Sequence, residues 1–362
     1  MYKTKDYLRR GTLMLRNSVN PTRRKVATVM IYTTDLCDSR CKHCKIWEKR
    51  PVQYLPKETI FKLMESKAIT KRTNIGLEGG EFFLHPEAAA IMDWFSKHHP
   101  NFDVFSNCLK PDLVIDNVRK YKPSRLFISL DGTKETYKEM RGKDGYDKVL
   151  KVIETLKDEV PISVMFCLSP FNCTDDLAHV AAICKKNNID LRVGVYSNIE
   201  FFDTDDLAYQ DRDLCDPPEI LKAFSENYDY LLLYNEWKKG NVQLPCKSIM
   251  DQVVVLPNGD VPICLNLDTT LGNLHESTLD EIIGNPESCR TLLHHHYKCN
   301  ACWINFHRKY DVILYKNLEK FFSKGLISKM FGYYQWSDNP QQKYKQVIKE
   351  LEGKKTAASS PK

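Results

Sequence analysis

The chain has 362 residues, 42% of them hydrophobic and 28% charged, which is typical of a packed globular protein with one large domain and a smaller one. The net charge is +6, from 53 basic and 47 acidic residues, so the composition does not call for a nucleic-acid partner. No apolar run approaches the roughly 18 residues of a membrane span. The 13 cysteines are clustered and no signal peptide is visible, so we expect reduced thiols in a cytoplasmic protein.

Strand-like and helix-like runs alternate between residues 26 and 196. This alternation predicts right-handed crossovers and a parallel sheet. Six strands are too few for a closed eight-stranded barrel, so the sequence predicts an α/β fold: a partial (β/α)6 TIM-type barrel over residues 25–235, with reactive groups at the C-terminal strand ends. The predicted strands cover residues 26–32, 74–77, 102–105, 125–130, 162–168 and 191–196, and the predicted helices cover residues 56–66, 86–97, 112–121, 146–157 and 175–186.

Three cysteines, Cys37, Cys41 and Cys44, follow the first predicted strand with C-x3-C-x2-C spacing. On one short loop, three thiolates can hold three corners of an iron–sulfur cube and leave the fourth iron without a protein ligand. An open iron can bind a reactant, whereas a cluster closed by four cysteines carries only electrons. A zinc knuckle is the alternative, because C-x2-C pairs also bind zinc.

The triplet is followed, after the second predicted strand, by Gly79-Gly80-Glu81. Together these motifs resemble radical S-adenosylmethionine (SAM) enzymes. The resemblance implies that the open iron of a 4Fe-4S cluster chelates SAM and that the reduced cluster cleaves it to a 5'-deoxyadenosyl radical. It also implies an electron donor such as flavodoxin or ferredoxin. The cofactor then carries the difficult chemistry, and the protein positions it.

Five residues are candidates for contact with SAM if SAM lies at the C-terminal ends of the strands. Gly80 permits close backbone approach, and Glu81 can accept a hydrogen bond from the SAM ammonium. Ser129 and Arg141, twelve residues apart, resemble a serine and an arginine that contact SAM in anaerobic sulfatase-maturing enzymes, and Val195 lies beside adenine by the same resemblance. Taken singly, Ser129 is also explained as a strand-end hydrogen bonder and Arg141 as a surface arginine.

A second cysteine set follows the barrel. Residues 253–256 and 261–265, joined by Asn258-Gly259, predict a β-hairpin in a small auxiliary domain over residues 236–310 that resembles the twitch or SPASM extension of radical SAM enzymes. A full SPASM domain has seven cysteines, but Arg308 and Val312 stand where the next two ligands are expected. Zinc is again the alternative. The four cysteines that can close one auxiliary 4Fe-4S cluster are Cys246, Cys264, Cys299 and Cys302.

A closed cluster cannot bind substrate through iron, so its use is to take or relay an electron, which favours net oxidation by dehydrogenation or cross-linking. Resemblance to the sulfatase-maturing enzymes and to the butirosin-pathway aminocyclitol dehydrogenase implies a sugar, aminocyclitol or peptide substrate. Leu265 replaces an aspartate of the sulfatase-maturing enzymes, so their deprotonation step does not transfer. The rival reaction is epimerisation, with Cys108 or Cys173 as the hydrogen donor. From another class, the chain could be a non-catalytic zinc-binding interaction protein.

The two ends of the chain are basic. We expect residues 1–24 to form a basic extension that packs as a helix across the open side of the barrel. We expect residues 311–353 to form a C-terminal helical segment. The lysines and aromatic residues interleaved over residues 309–336 allow contact with a membrane surface, and the alternative is a helix that closes the auxiliary domain. Residues 354–362 resemble a disordered tail. Substrate specificity is expected in barrel-mouth loops, including residues 203–218.

Overall fold

The computed structural model describes residues 4–197, 216–224, 227–267 and 269–358. The predicted specificity loop at 203–218 therefore lies outside the described residues, except for residues 216–218. The core of the fold is a seven-stranded parallel sheet with the strand order β6-β5-β4-β3-β2-β1-β7. Its strands are β1 (Thr28–Tyr32), β2 (Asn74–Glu78), β3 (Phe102–Ser106), β4 (Arg125–Ser129), β5 (Ile162–Leu168), β6 (Asp190–Val195) and β7 (Gln252–Val255).

The first six strands confirm the predicted partial barrel, and helices connect them in sequence order. Parallel neighbours need such crossover connections. The helices of the barrel are α2 (Lys57–Leu63), α3 (Ala88–His98), α4 (Pro111–Tyr121), α5 (Lys134–Arg141), α6 (Tyr146–Leu156) and α7 (Thr174–Lys186). Before and after them come α1 (Thr4–Val19), α8 (Asn227–Lys238), α9 (Leu279–Gly284), α10 (Pro286–Lys298), α11 (Asn305–Leu318), α12 (Lys324–Phe331) and α13 (Tyr344–Ala358).

The strands separate two apolar regions, because successive side chains point to opposite faces of a sheet. On β1, Val29 and Ile31 are fully buried in the large core of the molecule. Met30 and Tyr32 point to the other face, where they pack with Val254 inside the barrel. The interior of the barrel is therefore lined by side chains that are separate from the large core, and these can form the wall of a site.

The seventh strand corrects the hairpin prediction. Residues 253–256 were expected to pair with residues 261–265, but β7 pairs in parallel with β1, from Thr28 opposite Gln252 to Ile31 opposite Val255. The physical reason is that all four residues of β7 are buried, which suits a parallel strand covered on both faces better than an alternating hairpin arm. The observed antiparallel pair is β8 (Asp260–Pro262) with β9 (Thr270–Asn273).

Helix α11 closes the side of the sheet that the strands leave open. Its first residue, Asn305, donates a side-chain hydrogen bond to the Val193 carbonyl of β6. At the opposite sheet edge, the Gln252 amide donates to the Phe306 carbonyl at 3.4 Å. Helix α1 packs against α11. The two edges of the half-barrel are thus bridged by one helix, and a cavity remains between this helix and the sheet.

The C-terminal segment consists of α12 and α13 in addition to α11. Helix α13 ends at Ala358, so it includes residues 354–358 that the sequence assigned to the tail. Exposed apolar side chains occur at Phe321, Phe322, Met330 and Tyr333. Among the described residues, no helix combines the length and apolar character needed to cross a membrane.

Candidate active site

A cavity of about 430 Å³ opens at the C-terminal ends of the strands and extends into the barrel. The chain reverses from strand to helix at these ends, so side chains from distant sequence positions meet there. Tyr32 and Phe306 continue the wall toward the interior. The structure brings together on the wall all nine residues predicted for the open cluster and SAM: Cys37, Cys41, Cys44, Gly79, Gly80, Glu81, Ser129, Arg141 and Val195.

The cysteine loop is held in place by the end of α5. The backbone N–H of Arg40 donates to the Arg141 carbonyl at 3.0 Å, and the N–H of Lys42 donates to the Met140 carbonyl at 2.9 Å. Gly142 directly follows α5 with φ at +62°, and a Cβ there would lie 2.6 Å from the Arg40 carbonyl oxygen. A left-handed glycine thus lets the cysteine loop pack against this helix end.

Polar groups surround the sulfur atoms of the loop. The Ser39 hydroxyl lies 3.1 Å and the Arg141 Nη1 3.6 Å from Cys41 Sγ, and the Asn107 amide lies 3.8 Å from Cys37 Sγ. Burial raises the pKa of Cys44 to about 12, so this thiol gives up its proton only when a metal or a positive charge stabilises the thiolate. Hydrogen bonds to sulfur are a common support of iron–sulfur clusters, so these residues fit such a group.

The thiols of Cys37, Cys41 and Cys44 interact electrostatically with one another. In the part of the chain that the structure describes, no group of three or more histidine, cysteine or acidic side chains is close enough to hold a single metal ion.

The glycine pair is required by packing of one loop on another. A Cβ on Gly80 would lie 2.4 Å from the Leu36 carbonyl oxygen, and a Cβ on Gly79 would lie 2.6 Å from the Thr34 carbonyl oxygen. The Gly80 N–H donates to that same Thr34 oxygen at 2.6 Å. The sequence predicted that Gly80 permits close approach to SAM. In the structure, the group that both glycines approach closely is the backbone segment that leads into the cysteine loop.

Glu81 is buried at the centre of a hydrogen-bond network. Its carboxylate accepts hydrogen bonds from the Ser106 hydroxyl at 2.9 Å, the Asn107 N–H at 2.7 Å and the Phe83 N–H at 3.3 Å. Burial raises the pKa of Glu81 to about 7, although these hydrogen bonds oppose the shift. The carboxylate is thus fixed in position on the cavity wall.

Arg141 is paired with a buried aspartate. Its Nε donates to Asp131 Oδ2 at 2.6 Å, and Asp131 has no solvent exposure. The other oxygen of Asp131 accepts from the Cys167 N–H at 2.7 Å. Asp131 at the end of β4 therefore fixes Arg141, which also faces Cys41. The sequence predicted Arg141 as a ligand of SAM but did not predict this pairing.

Tyr32 and Glu78 form a further polar pair on the cavity wall. Burial raises the pKa of Glu78 to about 7, and a hydrogen bond from the Tyr32 hydroxyl opposes the shift. A carboxyl group with a pKa near neutrality can exchange a proton at physiological pH. The sequence did not predict this pair, although an acidic residue at the end of an apolar strand, directly before Gly79, indicated it.

The two predicted hydrogen donors lie away from the cavity wall. Cys108 is fully buried, and its Sγ lies 3.9 Å from the Ser106 carbonyl oxygen. Cys173 is the N-cap residue of α7, and its Sγ lies 3.4 Å from Asp176 Oδ2. Cys167, by contrast, lines the cavity.

The second cysteine set comes together beside this cavity. Cys246, Cys264 and Cys302 are buried, and Cys299 is partly exposed. The Cys246 N–H donates to the Cys299 carbonyl at 2.8 Å, so two distant segments meet directly. Leu265, the neighbour of Cys264, lies on the cavity wall. The auxiliary site is therefore adjacent to the space in which a substrate of the barrel would lie.

Comparison with known protein families accounts for both cysteine regions. Residues 31–182 match the radical SAM superfamily, and residues 246–303 match the iron–sulfur cluster-binding SPASM domain. The first match contains the cysteine loop and Gly79-Gly80-Glu81. The second begins at Cys246 and includes Cys302. No curated protein is significantly similar to the chain in sequence.

Solved structures share the fold over most of the chain. SuiB from Streptococcus suis bound to its precursor peptide SuiA is 13% identical, with a TM-score of 0.62 over 96% of this chain and 81% of that chain. SuiB without the peptide is 14% identical, with a TM-score of 0.57 over 82% and 74%. anSMEcpe with bound AdoMet and Kp18Cys peptide is 16% identical, with a TM-score of 0.50 over 91% and 97%.

At these identities the likeness to solved structures shows the fold. The family matches and the cavity geometry add the cofactors, which are SAM, a SAM-binding 4Fe-4S cluster and an auxiliary iron–sulfur cluster. The chain belongs to the radical SAM superfamily and carries a SPASM-type auxiliary domain.

Proposed function

We propose that this enzyme removes a hydrogen atom from a substrate bound in the barrel cavity and that the net reaction is an oxidation. The observation that carries the proposal is the single cavity whose wall contains the cysteine loop, the glycine pair and Arg141, and which continues into the barrel past Tyr32. A substrate in the inner part of this cavity would lie next to SAM bound at its mouth.

The residues of the cavity wall would have different roles. Cys37, Cys41 and Cys44 would hold the open cluster, with Ser39 and Asn107 donating to sulfur. Glu81, Ser129 and Arg141 would hold SAM, and Asp131 orients Arg141. When bound, the cluster supplies the electron that splits SAM into methionine and a 5'-deoxyadenosyl radical, and the barrel shields that radical from solvent.

The substrate class that we propose is a peptide, a sugar or an aminocyclitol. Two proteins of similar fold have been solved with peptides bound, SuiB with SuiA and anSMEcpe with Kp18Cys, which supports the peptide class. A sugar or aminocyclitol is implied by the resemblance to the butirosin-pathway dehydrogenase.

Net oxidation is supported by the position of the auxiliary site. Cys246, Cys264, Cys299 and Cys302 would hold a closed cluster that accepts an electron, and Leu265 links their site to the cavity wall. The epimerisation alternative needs a hydrogen donor facing the substrate. Cys108 and Cys173 do not line the cavity, whereas Cys167 does, so an epimerase of this fold would have to use Cys167 as its donor.

The test is SAM cleavage by anaerobically reconstituted protein. With dithionite and SAM, we expect release of 5'-deoxyadenosine, measured by chromatography, and about eight irons per chain for two 4Fe-4S clusters. A colourless protein with bound zinc would support the zinc-binding interaction protein instead. If the protein releases no more 5'-deoxyadenosine than its Cys41→Ala variant, the proposed function is wrong.

The direction of the reaction needs a second measurement. Candidate peptides and aminocyclitols are added, and mass spectrometry follows the product. Loss of two hydrogen atoms from the substrate indicates oxidation. A product whose mass is unchanged in ordinary water but includes one deuterium after reaction in deuterated water indicates epimerisation.

A further inference from the structure

A fully buried ion pair lies beside the second cysteine set. Arg308 Nη1 donates to Asp311 Oδ2 at 2.9 Å, and the side chains are 1% and 0% exposed. Arg308 stands where a seven-cysteine SPASM domain would place its next ligand. Burying an ion pair often costs as much free energy as the attraction between its two charges gains. Stability alone therefore does not explain a buried arginine at a ligand position.

The pair ties together the segments that carry the cysteines. Arg308 Nη2 donates to the Leu244 carbonyl at 2.6 Å and to Asn300 Oδ1 at 2.8 Å. Leu244 lies two residues before Cys246, and Asn300 lies between Cys299 and Cys302. Asp311 Oδ1 accepts from the N–H of Lys247, the residue after Cys246, at 2.9 Å. Arg308 and Asp311 therefore touch both sides of the candidate cluster site.

The Arg308 guanidinium has a further N–H donor, at Nε. Arg308 Nε is buried and has no hydrogen-bond partner among the described residues, whereas nearly all buried N–H groups have one. The guanidinium interacts electrostatically with Cys246, Cys302 and Cys299. A buried N–H donor on a guanidinium that interacts electrostatically with three cysteines fits an acceptor that belongs to a cluster, either a ligating thiolate or an inorganic sulfide.

We infer that Arg308 donates through Nε to sulfur of the auxiliary cluster and that Arg308 and Asp311 together set the reduction potential of that cluster. The inference rests on the cysteine ligands named in the proposed function. Positive charge and N–H donors near sulfur stabilise the reduced, more negative cluster and raise its potential. Asp311 acts in the opposite direction, because its carboxylate accepts a hydrogen bond from Lys247 N–H beside Cys246 and interacts electrostatically with that cysteine.

This arrangement would make the auxiliary cluster a better electron acceptor. An acceptor beside a substrate radical must be easier to reduce than the product that the radical forms when it loses its electron, and a buried guanidinium favours this without taking a coordination position. Arg308 is in this sense a positioning residue, because it acts through the cluster and not on the substrate.

The experiment is an anaerobic redox titration of the full-length chain followed by electron paramagnetic resonance. Cys37, Cys41 and Cys44 are all changed to Ala, so that only the auxiliary cluster remains, with about four irons per chain. In this background we expect Arg308→Gln to shift the midpoint potential to more negative values, Arg308→Lys to shift it less, and Asp311→Asn to shift it to more positive values. Arg119→Gln, at an exposed ion pair on α4, should leave it unchanged.

The opposite signs of the two shifts in midpoint potential distinguish an electrostatic role from a structural one. If the pair were only structural, both variants would lose iron, and their potentials would not shift in opposite directions. An unchanged potential in Arg308→Gln with full iron content overturns the inference. If Arg308→Gln does not retain iron, Asp311→Asn decides: a positive shift supports the inference, and any other result overturns it. If the background itself binds no cluster, the cysteine assignment fails and the inference falls with it, while SAM cleavage by the unmodified chain still tests the barrel site.

Discussion

The barrel and the auxiliary domain each bring cysteines together, but in different ways. The barrel set lies on one short loop of residues 37–44 and lines the cavity. The auxiliary set comes from residues 246–302, and three of its four cysteines are buried. A cluster that binds SAM needs an open iron facing a cavity, whereas a cluster that only passes electrons can be closed and covered. The two environments match these two requirements.

Both regions also place an arginine–aspartate pair next to the cysteines. Arg141 pairs with Asp131 and lies 3.6 Å from Cys41 Sγ, and Arg308 pairs with Asp311 beside the auxiliary set. Arg141 remains on the cavity wall, where it can also meet SAM. Arg308 is enclosed by protein. In the roles proposed above, this kind of pair would serve ligand binding in one region and electrostatic support in the other.

The largest expected effect comes from removing one cysteine of each set. We expect Cys41→Ala to abolish release of 5'-deoxyadenosine and to remove about four irons per chain, because two thiolates cannot hold the open cluster. Cys302→Ala should remove a similar amount of iron but retain SAM cleavage with dithionite. Iron analysis and chromatography measure both effects.

A matched control is Cys184→Ala, because Cys184 is a buried cysteine of α7 that belongs to neither set. It should keep both clusters and full SAM cleavage. The separation of the two sites would be contradicted if Cys302→Ala lost SAM cleavage while the control kept it.

The difference between these regions also explains what the sequence could predict. The spacing of Cys37, Cys41 and Cys44 is local, so a short stretch of sequence contains most of that site. The alternation of apolar runs predicted six strands, because each crossover is a local unit. The pairing of β7 with β1 was missed because it depends on which strand edge is vacant after the barrel has formed, a property of the whole fold.

Similarly, the sequence did not predict the side-chain partners of Asp131 and Arg308. The Asp131–Arg141 pair depends on how α5 returns to the end of β4, and the environment of Arg308 depends on how α11 packs between two cysteine segments. Glu78 was predictable in part, since an acidic residue at the end of an apolar strand is unusual. Its raised pKa, however, results from burial inside the closed half-barrel.

The next largest effect concerns the stability of the arginine–aspartate pair in the barrel. Asp131→Asn should lower the free energy of unfolding by about 3–5 kcal/mol, because it leaves the buried charge of Arg141 without its partner. Asp147→Asn is the control, since Lys134 and Asp147 form an ion pair with 50% and 67% exposed side chains, and such pairs contribute about 0–1 kcal/mol. Urea unfolding measures the free energy of unfolding of both variants. Equal losses in the two variants would show that burial of the ion pair does not increase its contribution to stability.

A smaller effect is a pH dependence of stability due to Glu78. Burial raises its pKa to about 7 in the folded protein, against about 4.3 in an unfolded chain. Between these values the folded state binds more protons, so this group makes the free energy of unfolding decrease as pH rises. Glu78→Gln should flatten the decrease in unfolding temperature over this range, and the exposed Glu154→Gln should not. Glu81 retains its own contribution in both variants, so some dependence should remain.

The smallest expected effect is at the two cysteines first considered as hydrogen donors. Cys108 lies in the core and Cys173 caps α7 through Asp176, and neither lines the cavity. A thiol that quenches a substrate radical must reach the reacting carbon, so Cys108→Ala and Cys173→Ala should give the same product yield per 5'-deoxyadenosine as the unmodified enzyme. Loss of product with continued SAM cleavage in either variant would restore epimerisation and show that this thiol reaches the cavity during turnover.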